Sequence, residues 1–147
     1  MPTYFQVLTP GIKAGKNFTT SGSCAPGHLL QVDSTGLLVS KCTTSGCPFG
    51  FAYGARSLVY SPTSVNYPTG ERITVVRGDF ECLISAHFFY GGSLPSSANT
   101  ALYAYTGGLL RAGTGTTQVG RYIRSKTVTQ PGTNLTVGYC RMTVDAD

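Results

Sequence analysis

The chain has 147 residues, a formal net charge of +5 and only 12% charged residues. At that length folding removes roughly two-thirds of the unfolded chain's surface from water, so one domain with a real core is expected. Gly (19 residues) and Tyr (9) are abundant beside Thr, Ser and Val, which favours short strands joined by turns and excludes a helical bundle.

Residues 4–8 (YFQVL) read as a first strand, stopped by Pro10-Gly11. Residues 1–20 lack the apolar core of a signal peptide, and no window approaches the ~18 apolar residues of a membrane span. A protein soluble where it is made, with no membrane partner, is expected. The polar, Gly-rich residues 12–23 carry Lys13 and Lys16. They read either as an arm that reaches a neighbouring subunit by strand addition or as an ordinary edge strand and loop. The expected organisation is therefore a strand and arm over residues 1–23, then a single β domain over 24–147.

Residues 29–32 and 37–40 flank the turn Asp33-Ser34-Thr35-Gly36, whose glycine supplies the positive φ a hairpin of this kind needs. A loop from Cys42 to Cys47 leads into PFGFAY at 48–53. After an irregular stretch at 55–70, residues 72–77 (RITVVR) alternate as a half-buried strand, and Gly78-Asp79 reads as a tight turn into 80–84 (FECLI). That pair is expected to be the clearest hairpin in the chain. A short turn over 84–90 precedes ALYAYTGGLLRAGTGTTQVGRYI at 101–123, itself a strand, turn, strand, loop and strand.

This last stretch has an echo. Leu30, Gly36, Leu37, Leu38, Gly50 and Tyr53 fall at nearly the same phase as Leu102, Gly108, Leu109, Leu110, Gly120 and Ile123. Residues 132–137 likewise parallel 70–75, and 140–144 read as the strand that closes the sheet. One β-motif is used twice, over about 27–84 and 99–144, and the expected fold is all-β: a small sandwich or barrel-like domain.

The chemistry-bearing residues are sparse. Cys24, His28, Cys42 and Cys47 have the ligand types of a zinc site, but neither spacing is the tight two-residue knuckle of one, and no metal or other cofactor is expected. Five cysteines cannot all pair within one chain. A disulfide between two of Cys24, Cys42 and Cys47 competes with inert thiols, the favoured reading where no export signal is seen. His87 lies in an aromatic run, and the carboxylate pair Asp79 and Glu81 sits beside Arg77, which suits an ion pair better than acid-base work. No nucleophile, base and orienting group can be assembled, so no enzyme is expected. The Lys and Arg residues never form a run of three, and direct nucleic-acid binding is not expected.

Taken together, the apolar hairpins, the short strands entered through xGx (PFGFAY, QVGRYI) and VVRGDFECL leading into the second half resemble the head decoration, or capsid cement, proteins of tailed phages. The resemblance covers residues 25–144. It implies a non-enzymatic virion protein, made in the host cytoplasm and bound to the outer capsid surface. Its partner would be the major capsid protein, bound as a homotrimer that clamps adjacent capsomers. In such proteins the terminal arm commonly meets the capsid, which maps here onto Tyr4, Phe5, Lys13 and Lys16. Two alternatives stand beside it: another β-rich virion component (tail-tube, neck or fibre-base subunit), and a carbohydrate- or peptide-binding β-sandwich module with tyrosines as stacking platforms.

Overall fold

The computed structural model describes residues 3–8, 17–53, 60–61, 68–130 and 133–144. In chain order its strands are β1 (Thr3–Val7), β2 (Asn17–Thr20), β3 (Leu29–Val32), β4 (Leu38–Lys41), β5 (Pro48–Ala52), β6 (Tyr60–Ser61), β7 (Arg72–Val76), β8 (Gly78–Ser85), β9 (Thr100–Tyr105), β10 (Leu109–Ala112), β11 (Gln118–Gln130) and β12 (Thr133–Val144). The only helical element among the described residues is a 3-10 turn at Ala86–Phe88. The expected all-β class is what forms. Five strands close a barrel in the order β2-β4-β3-β5-β7, and seven form a sheet in the order β10-β9-β11-β12-β8-β1-β6.

Alternation along the barrel strands explains how the two layers hold together. Successive side chains on a strand point to opposite faces, and here both faces are apolar. Leu30, Ala52 and Val75 point into the barrel, where they pack with Cys24, Val39 and Ile73. Their chain neighbours Leu29, Phe51 and Val76 point outward into the main core, against Phe80, Cys82, Ile84, Cys140 and Met142 of the large sheet. Each fully buried side chain of this size contributes roughly 1.5–3 kcal/mol. The barrel-sheet seam is therefore the main source of cohesion, with Phe5 stacked on Phe51 (5.8 Å) and Phe80 edge-on to it (5.9 Å) at its centre.

The sequence echo is present in the strand pairing. β3 pairs with β4 and β5, β5 continues to β7, and the local order is β4-β3-β5-β7. β9 pairs with β10 and β11, β11 continues to β12, and the order is β10-β9-β11-β12. Even the irregularity is copied. In the first unit the register slips between Leu30↔Gly50 and Gln31↔Pro48, and in the second between Leu102↔Gly120 and Tyr103↔Gln118. A Cβ on Gly50 would lie 2.6 Å from the Val76 carbonyl oxygen, and one on Gly120 would lie 2.5 Å from that of Arg141. Both glycines thus allow the same close approach of the next strand. This equates β7 with β12 three residues later than the parallel between 70–75 and 132–137 suggests.

Two sequence expectations are corrected. Residues 72–77 and 80–84 do not form a hairpin: β7 pairs with β2 and β5, while β8 pairs with β1 and β12. Gly78, at φ 98, passes the chain from barrel to sheet, as strands do at the corners of packed sheets. Residues 119–123 and 140–144 are also not short strands. β11 and β12 run on together past the rest of the sheet, pairing from Gly120↔Met142 to Gln130↔Thr133.

The N-terminal segment 1–23, expected as strand and arm, contributes two strands to the fold itself wherever it is described. β1 lies between β8 and β6, and β2 closes the barrel between β4 and β7.

Candidate interaction surface

The face of the large sheet turned away from the barrel carries a group of charged side chains beside a small apolar cluster of Tyr4, Leu83 and Val137, against which Tyr139 packs. It is built by strand alternation. On β12 the even positions Cys140, Met142 and Val144 enter the main core, so Tyr139, Arg141 and Thr143 face outward. On β8 Phe80, Cys82 and Ile84 point inward, leaving Asp79 and Glu81 outward.

On β11 simple alternation would put Arg121 and Arg124 on opposite faces. A bulge between Tyr122 and Arg124 absorbs Ile123 and restores them to one face. Arg121 then stands opposite Arg141, Arg124 opposite Tyr139, and Lys126 opposite Val137. The exposed cations Arg121, Arg124 and Lys126 therefore form one row. The spacing of these residues in the sequence hides the row, and only a bulge at Ile123 discloses it.

The hydrogen bonding is specific. Arg141 grips Asp79 through Nε (3.3 Å) and Nη2 (3.2 Å), and this fork holds the Asp79 carboxyl below its ordinary pKa. The Tyr139 hydroxyl bonds Glu81, which raises the phenol. Arg121 donates from Nη1 to the Asn99 carbonyl at 2.7 Å, a neutral acceptor. Arg124 lies over the Tyr139 ring, 4.9 Å from its centroid. Arg141 and Asp79 form an ion pair on this face, and among the described residues Arg121, Arg124 and Lys126 of the β11 row have no carboxylate partner. Two shallow depressions flank the row. One, of about 470 Å³, is bordered by Gln118, Arg121, Arg141 and Thr143, and the other, of about 250 Å³, by Leu8, Arg124, Lys126 and Tyr139.

Of the residues singled out in the sequence, Tyr4 and Phe5 are 5% and 2% exposed. Tyr4 packs with Leu83 and Val137, and Phe5 enters the main core, so neither side chain is offered to a partner. Lys13 and Lys16 lie outside the described residues. Cys24, Cys42 and Cys47 are free thiols, as are Cys82 and Cys140. Cys24 is buried in the barrel and Cys42 in the main core, and burial pushes both up to about 11; Cys47 is exposed. His28 is buried, and its Nδ1 accepts the Ala25 N–H at 2.9 Å. The His28 and His87 rings lie 6.2 Å apart, each edge-on to Phe88. Among the described residues no group of three or more His, Cys, Asp or Glu is placed to hold a metal ion. No described helix is long and apolar enough to cross a membrane.

Of the tyrosines available for stacking, Tyr122 is buried, and Tyr53 meets Phe5 edge-on. Tyr105 packs on the exposed Tyr90 at 4.4 Å with Arg111 over both rings, a second and smaller aromatic patch. No protein-family model, curated protein or solved structure matches the chain.

Proposed function

We propose that this chain is a non-enzymatic virion structural protein. It attaches as a homotrimer to the outer surface of an assembled phage capsid shell, contacts the major capsid protein and clamps adjacent capsomers. The observation that carries the reading is the duplicated β-unit. The pattern that resembles the capsid decoration proteins is a repeated one, and the repeat extends to strand order, the position of the bulge and the close-approach glycines Gly50 and Gly120.

The physical demands of such a role support it. A clamp must resist deformation, and two layers sharing one apolar core supply stiffness. Attachment through three copies multiplies weak single contacts by effective concentration. The side-chain contacts of the clamp would come from exposed surface rather than from Tyr4 and Phe5, whose side chains are consumed by the core.

The test is co-sedimentation of the purified chain with expanded, empty phage shells, together with its mass in solution. Trimers that saturate shells and ignore isolated tails are expected. A monomer that stays in the supernatant and is retained on a glycan column would overturn the proposal in favour of a carbohydrate-binding module.

A further inference from the structure

We propose that the projecting part of β11 is a docking edge for an extended, acidic segment of a partner protein, which adds to the sheet as a further strand. The inference goes beyond the virion reading and holds whatever molecule carries that segment.

Three observations converge on it. The first is an open edge. β9 covers β11 from Gln118 to Tyr122 and no further, whereas β11 continues to Gln130. From Arg124 to Gln130 its only strand partner among the described residues is β12, on the other side. Half of the main-chain N–H and C=O groups there point away from β12, the arrangement that accepts an added strand.

The second is the side-chain row. The bulge at Ile123 puts Arg121, Arg124 and Lys126 on one face, and Arg124 and Lys126, two residues apart on the strand, are separated by about 7 Å. An added strand presents its own alternate side chains on that face at the same period. Acidic residues at every second position would then lie directly across from Arg124 and Lys126, the cross-strand geometry in which opposite charges attract.

The third is an electrostatic conflict within the sheet. Arg121 stands directly opposite Arg141, and like charges so placed are destabilising. Asp79 answers Arg141, while Arg121 meets the neutral carbonyl and side-chain amide oxygens of Asn99. A carboxylate arriving at this end of the row relieves the repulsion.

The same observations favour polypeptide over nucleic acid. A peptide strand offers both donors and acceptors to the β11 edge, whereas a phosphodiester backbone has no donor for its carbonyls. Asp79 and Glu81 on the same face would also repel a uniformly anionic chain.

The probes are a blocked peptide alternating Asp and Thr, a peptide of the same composition with all Asp residues in one block, and an oligothymidylate of similar charge. Binding is followed by anisotropy and by amide shifts of the isotope-labelled chain. The alternating peptide is expected to shift amides at 124–130, and to bind more weakly as salt rises. It should lose about tenfold or more in affinity to Arg124→Glu/Lys126→Glu, whose side chains are exposed and leave the core intact. The milder Arg124→Gln/Lys126→Gln should fall between. Equal binding of the blocked-charge peptide or the oligothymidylate would overturn the inference, and so would unchanged affinity in the charge-reversed variant or shifts outside the edge. Since no shells are used, a negative result leaves the capsid reading standing, and failure to bind shells leaves this result untouched.

Discussion

The Leu29 amide donates to the Gly108 carbonyl at 2.9 Å, and the Gly108 amide donates to the Cys42 carbonyl at 2.9 Å. The turn of the second hairpin is thereby bonded into the backbone of the first. Gly108 sits at φ +72, and a Cβ there would lie 2.8 Å from the Leu29 carbonyl oxygen; its counterpart Gly36, at φ +75, has open space around it. Gly36→Ala should cost about 1–2 kcal/mol, the penalty of a left-handed backbone alone. Gly108→Ala adds a forced separation of the two units, about 1–3 kcal/mol more. Urea midpoints should rank wild type above Gly36→Ala and Gly36→Ala above Gly108→Ala. Equal midpoints for the two variants would mean that this seam contributes little.

The paired bulge glycines make a second prediction. At Gly50 and at Gly120 an added methyl meets backbone of the neighbouring strand, Val76 in one case and Arg141 in the other. Backbone cannot swing aside as a side-chain end can, so Gly50→Ala and Gly120→Ala should each destabilise by about 2 kcal/mol or more. Thermal melts of the two variants give the comparison, and a melt indistinguishable from wild type at either site would contradict the equivalence of the two units.

His28 makes stability depend on pH. Burial is the main reason its pKa falls to about 3, with repulsion from Lys41 and His87 adding to it. The unfolded chain protonates this ring near pH 6.5, whereas the folded chain resists until about 3. The unfolded state therefore binds more protons between those values. The contribution is complete above about pH 6.5 and declines as pH falls, by up to about 1.4 kcal/mol per pH unit. His87, also lowered by burial, slopes the same way. His28→Gln should remove about one proton's worth of this slope, and denaturant midpoints between about pH 7 and 4 measure it. An unchanged slope in the variant would assign the acid sensitivity elsewhere.

The thiols separate by access. Cys47 is exposed, while Cys24, Cys42, Cys82 and Cys140 are buried, with Cys140 pushed up to about 12. A thiolate is the reacting species. Iodoacetamide should therefore label Cys47 rapidly in the folded protein and the other four only after denaturation, as counted by mass. Early labelling of Cys82 or Cys140, which face each other across β8 and β12, would show that the sheet opens there.

Much of the fold is legible in the sequence because the signals are local. The hairpin turns at Gly36 and Gly108 and the xGx entries at Gly50 and Gly120 announce the duplicated unit without any knowledge of long-range pairing. What is not legible depends on partners distant in sequence. The segments around Val76 and Phe80 alternate as hairpin strands would, yet their inward side chains belong to two different layers, and only the placement of β1 and β12 decides this. The residues RSKTVTQ at 124–130 hold a single apolar side chain, Val128, too few for an alternation that would announce a strand. They form a strand because β12 runs alongside them. The candidate surface is hidden for a related reason, since the single bulged residue Ile123 reverses the face on which Arg121 would otherwise stand.

The passage from β7 to β8 has a mechanical side. Only Arg77 separates the last residue of a barrel strand from the first residue of a sheet strand. A shear that slid one layer across the other would have to stretch this covalent tie at once, since no slack loop lies between them to pay out. Under load the barrel and the sheet must move as one body, and a pull applied to either is felt by both.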